Sequence, residues 1–182
     1  MKKIATLLIL LTMMFTLSLN LVSCGEEEII PDGMKYACDP DIVDYSLFVP
    51  ESWIVDITTG TSLAHVSGAD RSSVQVSQWN LTETISNYDK WWEEYKKQIE
   101  KLGETNYISN AVDTKMGGVD AKKYVYELTM FKGTDDQVTY KYMVIATITR
   151  GSVYVFMYSS VGDYYEANME DVNEIKNNFK FN

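Results

Sequence analysis

The second half of the sequence contains three long runs in which apolar and polar residues alternate. They span residues 119–131, 138–148 and 153–161, and short turns containing glycine separate them. A period of two places successive side chains on opposite faces of a strand, and turns this short join antiparallel neighbours. The pattern predicts an antiparallel β meander, preceded by a strand over residues 107–116 and a hairpin turn at Gly117-Gly118.

Turn length decides which side chains share a face of this meander. Pairing across the first turn places Leu128 beside Tyr140 and Tyr126 beside Tyr142. The last strand has two possible registers, set by the length of the loop that starts at Arg150. A three-residue loop adds Tyr154, Phe156 and Tyr158 to this aromatic face. A two-residue loop adds Val153, Val155 and Met157 instead, and the sequence leaves both registers open.

Shorter strands are predicted before the meander, at residues 45–49, 53–58, 62–66 and 73–79. Breaks rich in Pro, Gly and Ser separate them, and Trp53 is expected to enter the core directly after the first break. The N-terminal third of the folded chain is therefore expected to be antiparallel β structure.

One helix is predicted between these strands and the meander. Ser86 and Asp89 have the spacing of a capping box, and Gly103 lies where a C-terminal cap is expected. The apolar residues follow helical spacing on one face. They are Tyr88, Trp91, Trp92, Tyr95, Ile99 and Leu102. Such an aromatic stripe more often packs on a sheet than forms a ligand platform.

A second helix is predicted after Gly162-Asp163. Its apolar positions are Tyr165, Met169, Val172, Ile175 and Phe179. Two amphipathic helices among antiparallel strands indicate an α+β fold, a sandwich in which helices cover the sheet. We find no repeat and no second domain over residues 39–182.

The first 23 residues have the features of a bacterial lipoprotein signal peptide. Lys2 and Lys3 precede an apolar run that ends in Leu21-Val22-Ser23-Cys24, which resembles a lipobox. Cleavage would leave Cys24 as the new N-terminus, with diacylglycerol on its sulfur and a further acyl chain such as palmitate. An uncleaved transmembrane anchor is the alternative, but the threonines, serine and asparagine of the run make it less apolar than a spanning helix.

Residues 24–38 are predicted to be the lipidated cysteine and an acidic, flexible spacer. The spacer contains Glu26 to Glu28, Pro31 and Gly33, and has no apolar period. Cys38 is the only cysteine besides Cys24, so an internal disulfide is excluded once Cys24 carries lipid. We expect it to be a half-buried residue at the edge of the domain.

The charge of the chain excludes one class of partner. Residues 1–23 contain two lysines and no acid, so the remainder has 14 basic and 26 acidic side chains and a formal charge of −12. Arg71 and Arg150 are the only arginines. A nucleic-acid surface needs clustered Lys and Arg, so nucleic acid is not an expected partner. We expect the lipid on Cys24 to be the membrane link, since anionic lipid repels this surface.

Residues that could support catalysis or metal binding do not form a known pattern. His65 is the only histidine, and it lies with Asp70 and Ser72 around one polar turn, whereas catalytic triads combine separated elements. Asp39 and Asp41 could supply oxygen ligands to calcium together with Asp44, but the segment lacks the glycine and glutamate of an EF-hand loop. The sequence therefore predicts no enzyme activity, cofactor or metal site.

The opening strand of the domain carries a family resemblance. Tyr45-Ser46-Leu47-Phe48-Val49-Pro50, followed by Trp53, resembles the start of the PsbP family, the extrinsic subunits of the oxygen-evolving complex and their bacterial lipoprotein relatives. The order of strands, helix, Gly-Gly hairpin, meander and final helix is similar over nearly the whole domain. Ser52 departs from the glycine that many members have there, and the spacer does not resemble the photosystem-docking arm.

The resemblance implies an α/β/α sandwich and a noncatalytic binding or accessory role, without a photosynthetic function. Another branch of the fold binds a small GTPase. We expect the partner to be a protein of the cell envelope, contacted through Trp91, Trp92, Tyr126, Tyr140 and Tyr142. The alternative function is a carrier that holds a small apolar ligand between the aromatic helix and the sheet.

Overall fold

The computed structural model describes residues 29–58 and 61–182, so the predicted signal peptide and Cys24 lie outside the described residues. Eleven strands and three helices are described. The strands are β1 (Met34–Tyr36), β2 (Tyr45–Ser46), β3 (Phe48–Pro50), β4 (Ile54–Thr58), β5 (Thr61–His65), β6 (Ser73–Asn80), β7 (Glu104–Met116), β8 (Val119–Met130), β9 (Val138–Thr149), β10 (Ser152–Val161) and β11 (Lys180–Phe181). The helices are α1 (Tyr88–Ile99), α2 (Tyr164–Ala167) and α3 (Met169–Asn178).

The central sheet has seven antiparallel strands in the order β4-β5-β6-β10-β9-β8-β7. The predicted meander is confirmed, as are the pairs of Leu128 with Tyr140 and of Tyr126 with Tyr142. Ser152 pairs with Thr149, so Arg150-Gly151 is a two-residue turn. Both turn residues have positive φ, 52° and 76°, as a type I′ hairpin requires.

This turn settles the register of β10. Successive residues of a strand face opposite sides, and the two core clusters of the domain divide β10 in that way. Val153 and Val155 belong to the cluster under α1, with Met157 packed against it. Tyr154, Phe156 and Tyr158 belong to the cluster on the opposite face. The two-residue alternative is therefore the observed one.

The opposite face is covered by both ends of the described chain. β1 pairs with β3 and β11 pairs with β2, and these short strands pack on the sheet together with α2 and α3. Trp53 is 2% exposed, as predicted, and its Nε1 donates to Asp171 Oδ2 at 3.1 Å. The cover thus joins residues that are more than a hundred positions apart in sequence.

The folded domain starts earlier than the sequence predicted. Residues 34–38 were assigned to the spacer, but Met34 begins β1, and Ala37 and Cys38 are 0% and 2% exposed. Cys38 is fully buried rather than half-buried, and its Sγ accepts a hydrogen bond from Leu47 N at 3.2 Å. Three residues are too few to show a period, so only pairing with β3 identifies this strand.

Helix α1 begins and ends differently from the prediction. Its N-cap is Asn87, whose Oδ1 accepts from Lys90 N at 2.9 Å, rather than Ser86. The C-cap is Glu100, and Leu102, predicted to continue the apolar stripe, is 61% exposed. Gly103 has another role, because a Cβ at this position would lie 2.2 Å from the carbonyl oxygen of Thr129. A glycine is needed for this close approach of the chain to β8.

The second predicted helix is two short helices. Asn168 is the C-cap of α2 and the N-cap of α3. Its side chain donates hydrogen bonds to Asp70 and to Ser72. Phe179 is the C-cap of α3, with extended backbone, and is 2% exposed. The fold is α+β, as predicted, and is mainly an antiparallel sheet with a few helices.

Candidate functional site

One row of residues crosses all seven strands of the sheet on the α1 side. Strand register places them as neighbours in this order: Ile54, His65, Ser73, Ser159, Tyr142, Tyr126, Tyr107. The row is polar on β5, β6 and β10 and aromatic on β9, β8 and β7. The sheet therefore presents two chemically different halves on one face.

The aromatic half lies under α1. Trp92 stacks on Tyr124 with ring centroids 4.1 Å apart, and Trp91 lies 5.8 Å from the same ring. Tyr95 contributes a hydroxyl 3.1 Å from that of Tyr126, so these two phenols are hydrogen-bonded to each other. Trp91, Trp92 and Tyr126 are 0%, 6% and 1% exposed. These three predicted contact residues thus form the interior of the domain, as the helix-on-sheet interpretation of the stripe expected.

The space between α1 and the sheet is filled by these rings. Tyr95 stacks on both Trp91 and Trp92, at centroid distances of 5.1 and 5.6 Å. Trp79 of β6 closes one side, 6.4 Å from Trp91. The carrier alternative places its ligand between these rings, which contact one another directly.

Helix α1 is too short to cover the whole face. Its 12 residues extend about 18 Å, whereas a 12-residue strand such as β9 extends about 40 Å, and the sheet continues past it to β4. A set of half-buried residues lies beside the helix and beyond it, and we name this set the open sheet face. It consists of Leu63, His65, Ser73, Gln75, Tyr140, Tyr142 and Met157.

The open sheet face joins two of the predicted contact residues to five that the sequence did not predict as contacts. Tyr140 and Tyr142 have centroids 6.1 Å apart, and Tyr142 stacks on the buried Tyr126 at 4.9 Å. Leu63 and Gln75 are cross-strand neighbours, and Gln75 pairs with Met157. Alternation over residues 62–66 and 73–79 predicts which side chains of β5 and β6 lie on the same face. Only the order of strands in the sheet shows that this face adjoins Tyr142.

The open face combines polar side chains with aromatic and apolar ones. Ser73 and Ser159 hydroxyls are 3.0 Å apart, and His65 Nδ1 lies 3.2 Å from the carbonyl oxygen of Val66. Burial raises the pKa of Tyr142 to about 12, with the neighbouring phenols of Tyr95 and Tyr140 adding to the shift. The phenol is therefore protonated at neutral pH and can donate a hydrogen bond. Aromatic, apolar and hydroxyl groups on one flat surface suit contact with another protein.

The residues considered for catalysis have structural partners. Asp70 Oδ1 accepts from Ser72 N at 2.7 Å, and Ser72 Oγ donates to Ser160 Oγ at 2.6 Å. Asp39 Oδ1 accepts from Asp41 N at 3.0 Å, within one turn. Among residues 29–58 and 61–182, no group of three His, Cys, Asp or Glu side chains is arranged to hold a metal ion.

Two surface clefts lie beside α1, and both are lined mainly by polar side chains. One, of about 410 Å³, is lined by Glu83, Thr84, Asp89, Lys90, Glu93 and Glu94. The other, of about 440 Å³, is lined by Tyr88, Asp113, Thr114, Asp120, Ala121 and Lys122. Lys122 pairs with Asp113, so its charge is already balanced within the cleft. Neither cleft has the lining of an apolar ligand site.

No family model and no curated protein sequence matches the chain. None of the helices in the described part of the chain is long and apolar enough to cross a membrane.

Solved structures with the same fold are found in bacteria and yeast. Cyanobacterial PsbP from Synechocystis has 16% identity and a TM-score of 0.55, with 89% of this chain and 99% of that chain covered. A protein of unknown function from Pseudomonas aeruginosa, described as a putative regulator, has 13% identity and a TM-score of 0.51, with coverage of 78% and 92%. The Ran-binding protein Mog1p of Saccharomyces cerevisiae has 12% identity and a TM-score of 0.51, with coverage of 76% and 90%. At these identities the similarity establishes the fold alone.

Proposed function

We propose that this chain, which has the PsbP-like fold, is a lipid-anchored protein of the cell envelope that binds another envelope protein through its open sheet face. The observation that carries the proposal is the half-exposed surface around Tyr140, Tyr142 and Met157, which continues the aromatic core past the end of its helical cover. The role is noncatalytic. The polar groups considered for catalysis serve turns and strand pairs instead.

The lipid anchor is proposed from the sequence. The lipobox ending in Cys24 supplies the acyl chains, and the acidic balance of the mature chain does not favour attachment through anionic lipid. Cleavage at this position would place the domain outside the cytoplasm. The alternative of an uncleaved anchor differs in mass, since the chain would keep its first 23 residues.

The fold is compatible with protein binding. Mog1p, which has the same fold, is described as a Ran-binding protein. The residue composition of the open sheet face also supports protein binding, because Tyr and Met are enriched in protein interfaces and Lys and Glu are depleted there.

Crosslinking in native membranes tests the proposal. The tagged chain should recover one envelope protein reproducibly, and replacing Tyr140 and Tyr142 together by alanine should reduce that recovery at least tenfold. Both rings are only half-buried, so the folded state should persist, which circular dichroism verifies.

Val112→Ala is the matched control. Val112 is 45% exposed on the edge strand β7, away from the open face, and its replacement should leave recovery unchanged. Unspecific recovery of abundant envelope proteins, or equal recovery from the double variant, would contradict the proposal. Intact-mass measurement of the same material tests the acyl chains on Cys24 separately.

A further inference from the structure

The chain reaches the domain at one identifiable end of the sheet. Gly33 accepts a hydrogen bond from Glu51 N at 3.1 Å, and Met34 pairs with Pro50. Trp53 N in turn donates to Pro50 O, and the next residue, Ile54, begins β4. The first described residues therefore lie beside the end of the sheet at which β4 starts.

Strand pairing identifies which other strand ends and turns lie at this same end of the sheet. Ile54 is opposite His65, where β5 ends, and the row continues over Ser73 and Ser159 to β9 and β8. The β8–β9 turn, with Phe131, lies at this end, and so does Leu102, because Gly103 packs against Thr129. We name it the Phe131 end. The opposite end carries the Arg150-Gly151 turn.

Exposed apolar side chains are concentrated at the Phe131 end. Six of the ten exposed large hydrophobic residues in the described part of the chain lie there. They are Ile29 (82%), Phe131 (64%), Leu102 (61%), Ile54 (46%), Ile30 (45%) and Tyr164 (43%). Phe131 also has a φ of 54°, a conformation in which a bulky residue is costly and Gly or Asn is not. Local stability therefore does not favour a phenylalanine at this turn.

The distance from Cys24 to this end is short. Met34 N donates to Pro31 O, so the folded backbone begins at about residue 31. Six residues lie between Cys24 and Pro31, and the seven steps from one to the other span at most about 25 Å when fully extended. A lipid on Cys24 would thus keep Pro31, which lies near the start of β4, within about 25 Å of the bilayer.

We propose that the Phe131 end contacts the lipid bilayer, with Phe131 and Leu102 entering the headgroup layer. The inference rests on the proposed lipid anchor, which supplies the local concentration that makes a small apolar contact sufficient. Asp135 and Asp136 in the same turn repel anionic lipid, so the contact suits a zwitterionic surface. The strands then stand upright on the membrane, and the open sheet face points sideways, toward neighbouring membrane proteins.

Spin labels on the natively lipidated full chain, reconstituted on phosphatidylcholine vesicles, test the contact. One label replaces Asp135 in the β8–β9 turn, and a matched label replaces Glu83, an exposed residue beyond the far end of β6. Oxygen partitions into lipid and a nickel chelate stays in water. The ratio of their relaxation effects should be several-fold higher at position 135 than at position 83.

Replacing Phe131 and Leu102 by serine should lower the ratio at position 135 to that at position 83, whereas Val112→Ser should leave it unchanged. Equal, water-like ratios at both positions overturn the inference. Intact-mass analysis of each sample keeps the two proposals apart. A chain without acyl groups refutes the anchor, while an acylated chain with a water-exposed label refutes only the contact.

Discussion

The two faces of the central sheet use the same aromatic residue types in different ways. One face is covered by the short strands β1 to β3 and β11 and by the C-terminal helices, so Tyr154, Phe156 and Tyr158 are each 0% exposed. The other face is covered by α1, with Leu81 and Ile85 of the preceding loop packed beside it. There Tyr126 is 1% exposed, but its stacking partner Tyr142 remains half-buried.

This difference shows that the extent of cover, and not residue type, separates core from surface in this domain. A tyrosine that stacks on a buried ring becomes a surface residue where the helix ends. The covered face should therefore dominate stability, and the open face should tolerate change and be available for binding.

The largest expected effect is on the covered face. Phe156→Ala removes a fully buried ring and should reduce the free energy of unfolding by about 3–5 kcal/mol. Tyr142→Ala on the open face should cost about 1 kcal/mol, because that ring is half-buried. Urea denaturation followed by tryptophan fluorescence measures both. Similar losses for the two variants would show that the faces do not differ in this way.

A smaller effect is expected at the start of α1, the one helix over the second face in the described part of the chain. Asn87→Ala removes the side-chain acceptor for Lys90 N and should cost about 1 kcal/mol. Ser86→Ala is the control and should change the stability by much less. Hydrogen exchange should be faster in the first turn of α1 for the Asn87 variant only. A larger loss of stability for Ser86→Ala than for Asn87→Ala would show that Ser86 is the N-cap.

The third effect is confined to alkaline pH. The pKa of Tyr142 is raised from 10.0 to about 12 in the folded state, chiefly by burial. Its stabilising contribution is complete below pH 10 and is lost as the pH rises from about 10 to about 12, because the unfolded chain ionises first. Urea denaturation at pH 8 and pH 11 should show a smaller decline for Tyr142→Phe than for the parent chain. An equal decline would mean that Tyr142 titrates as an exposed phenol.

Much of the fold could be predicted because the elements concerned depend on periodic patterns of neighbouring residues. The meander, the Gly117-Gly118 turn and the pair of Tyr126 with Tyr142 all follow from alternation and turn length. The aromatic stripe of α1 follows from helical spacing. β1 could not be predicted, since three residues show no period, and neither could the choice of Asn87 over the adjacent Ser86 as N-cap.

The candidate site was predicted only in part. The sequence identified five aromatic residues, and the structure places Trp91, Trp92 and Tyr126 in the interior and Tyr140 and Tyr142 at its margin. Leu63 and Gln75 were missed, and Met157 was expected on this face in only one of the two open registers of β10. They come from strands far apart in the chain, and a single sequence does not contain the order β5-β6-β10-β9 that makes them neighbours.

The sequence by itself determined the strands of the meander, the apolar stripe of α1 and the acidic balance of the chain, because each depends on residues close together or on composition. The tertiary structure alone decided the register of β10, the membership of β1 in the domain and the burial of each tyrosine. Burial depends on which distant segment covers a side chain, and a helix of about 18 Å cannot cover strands of about 40 Å.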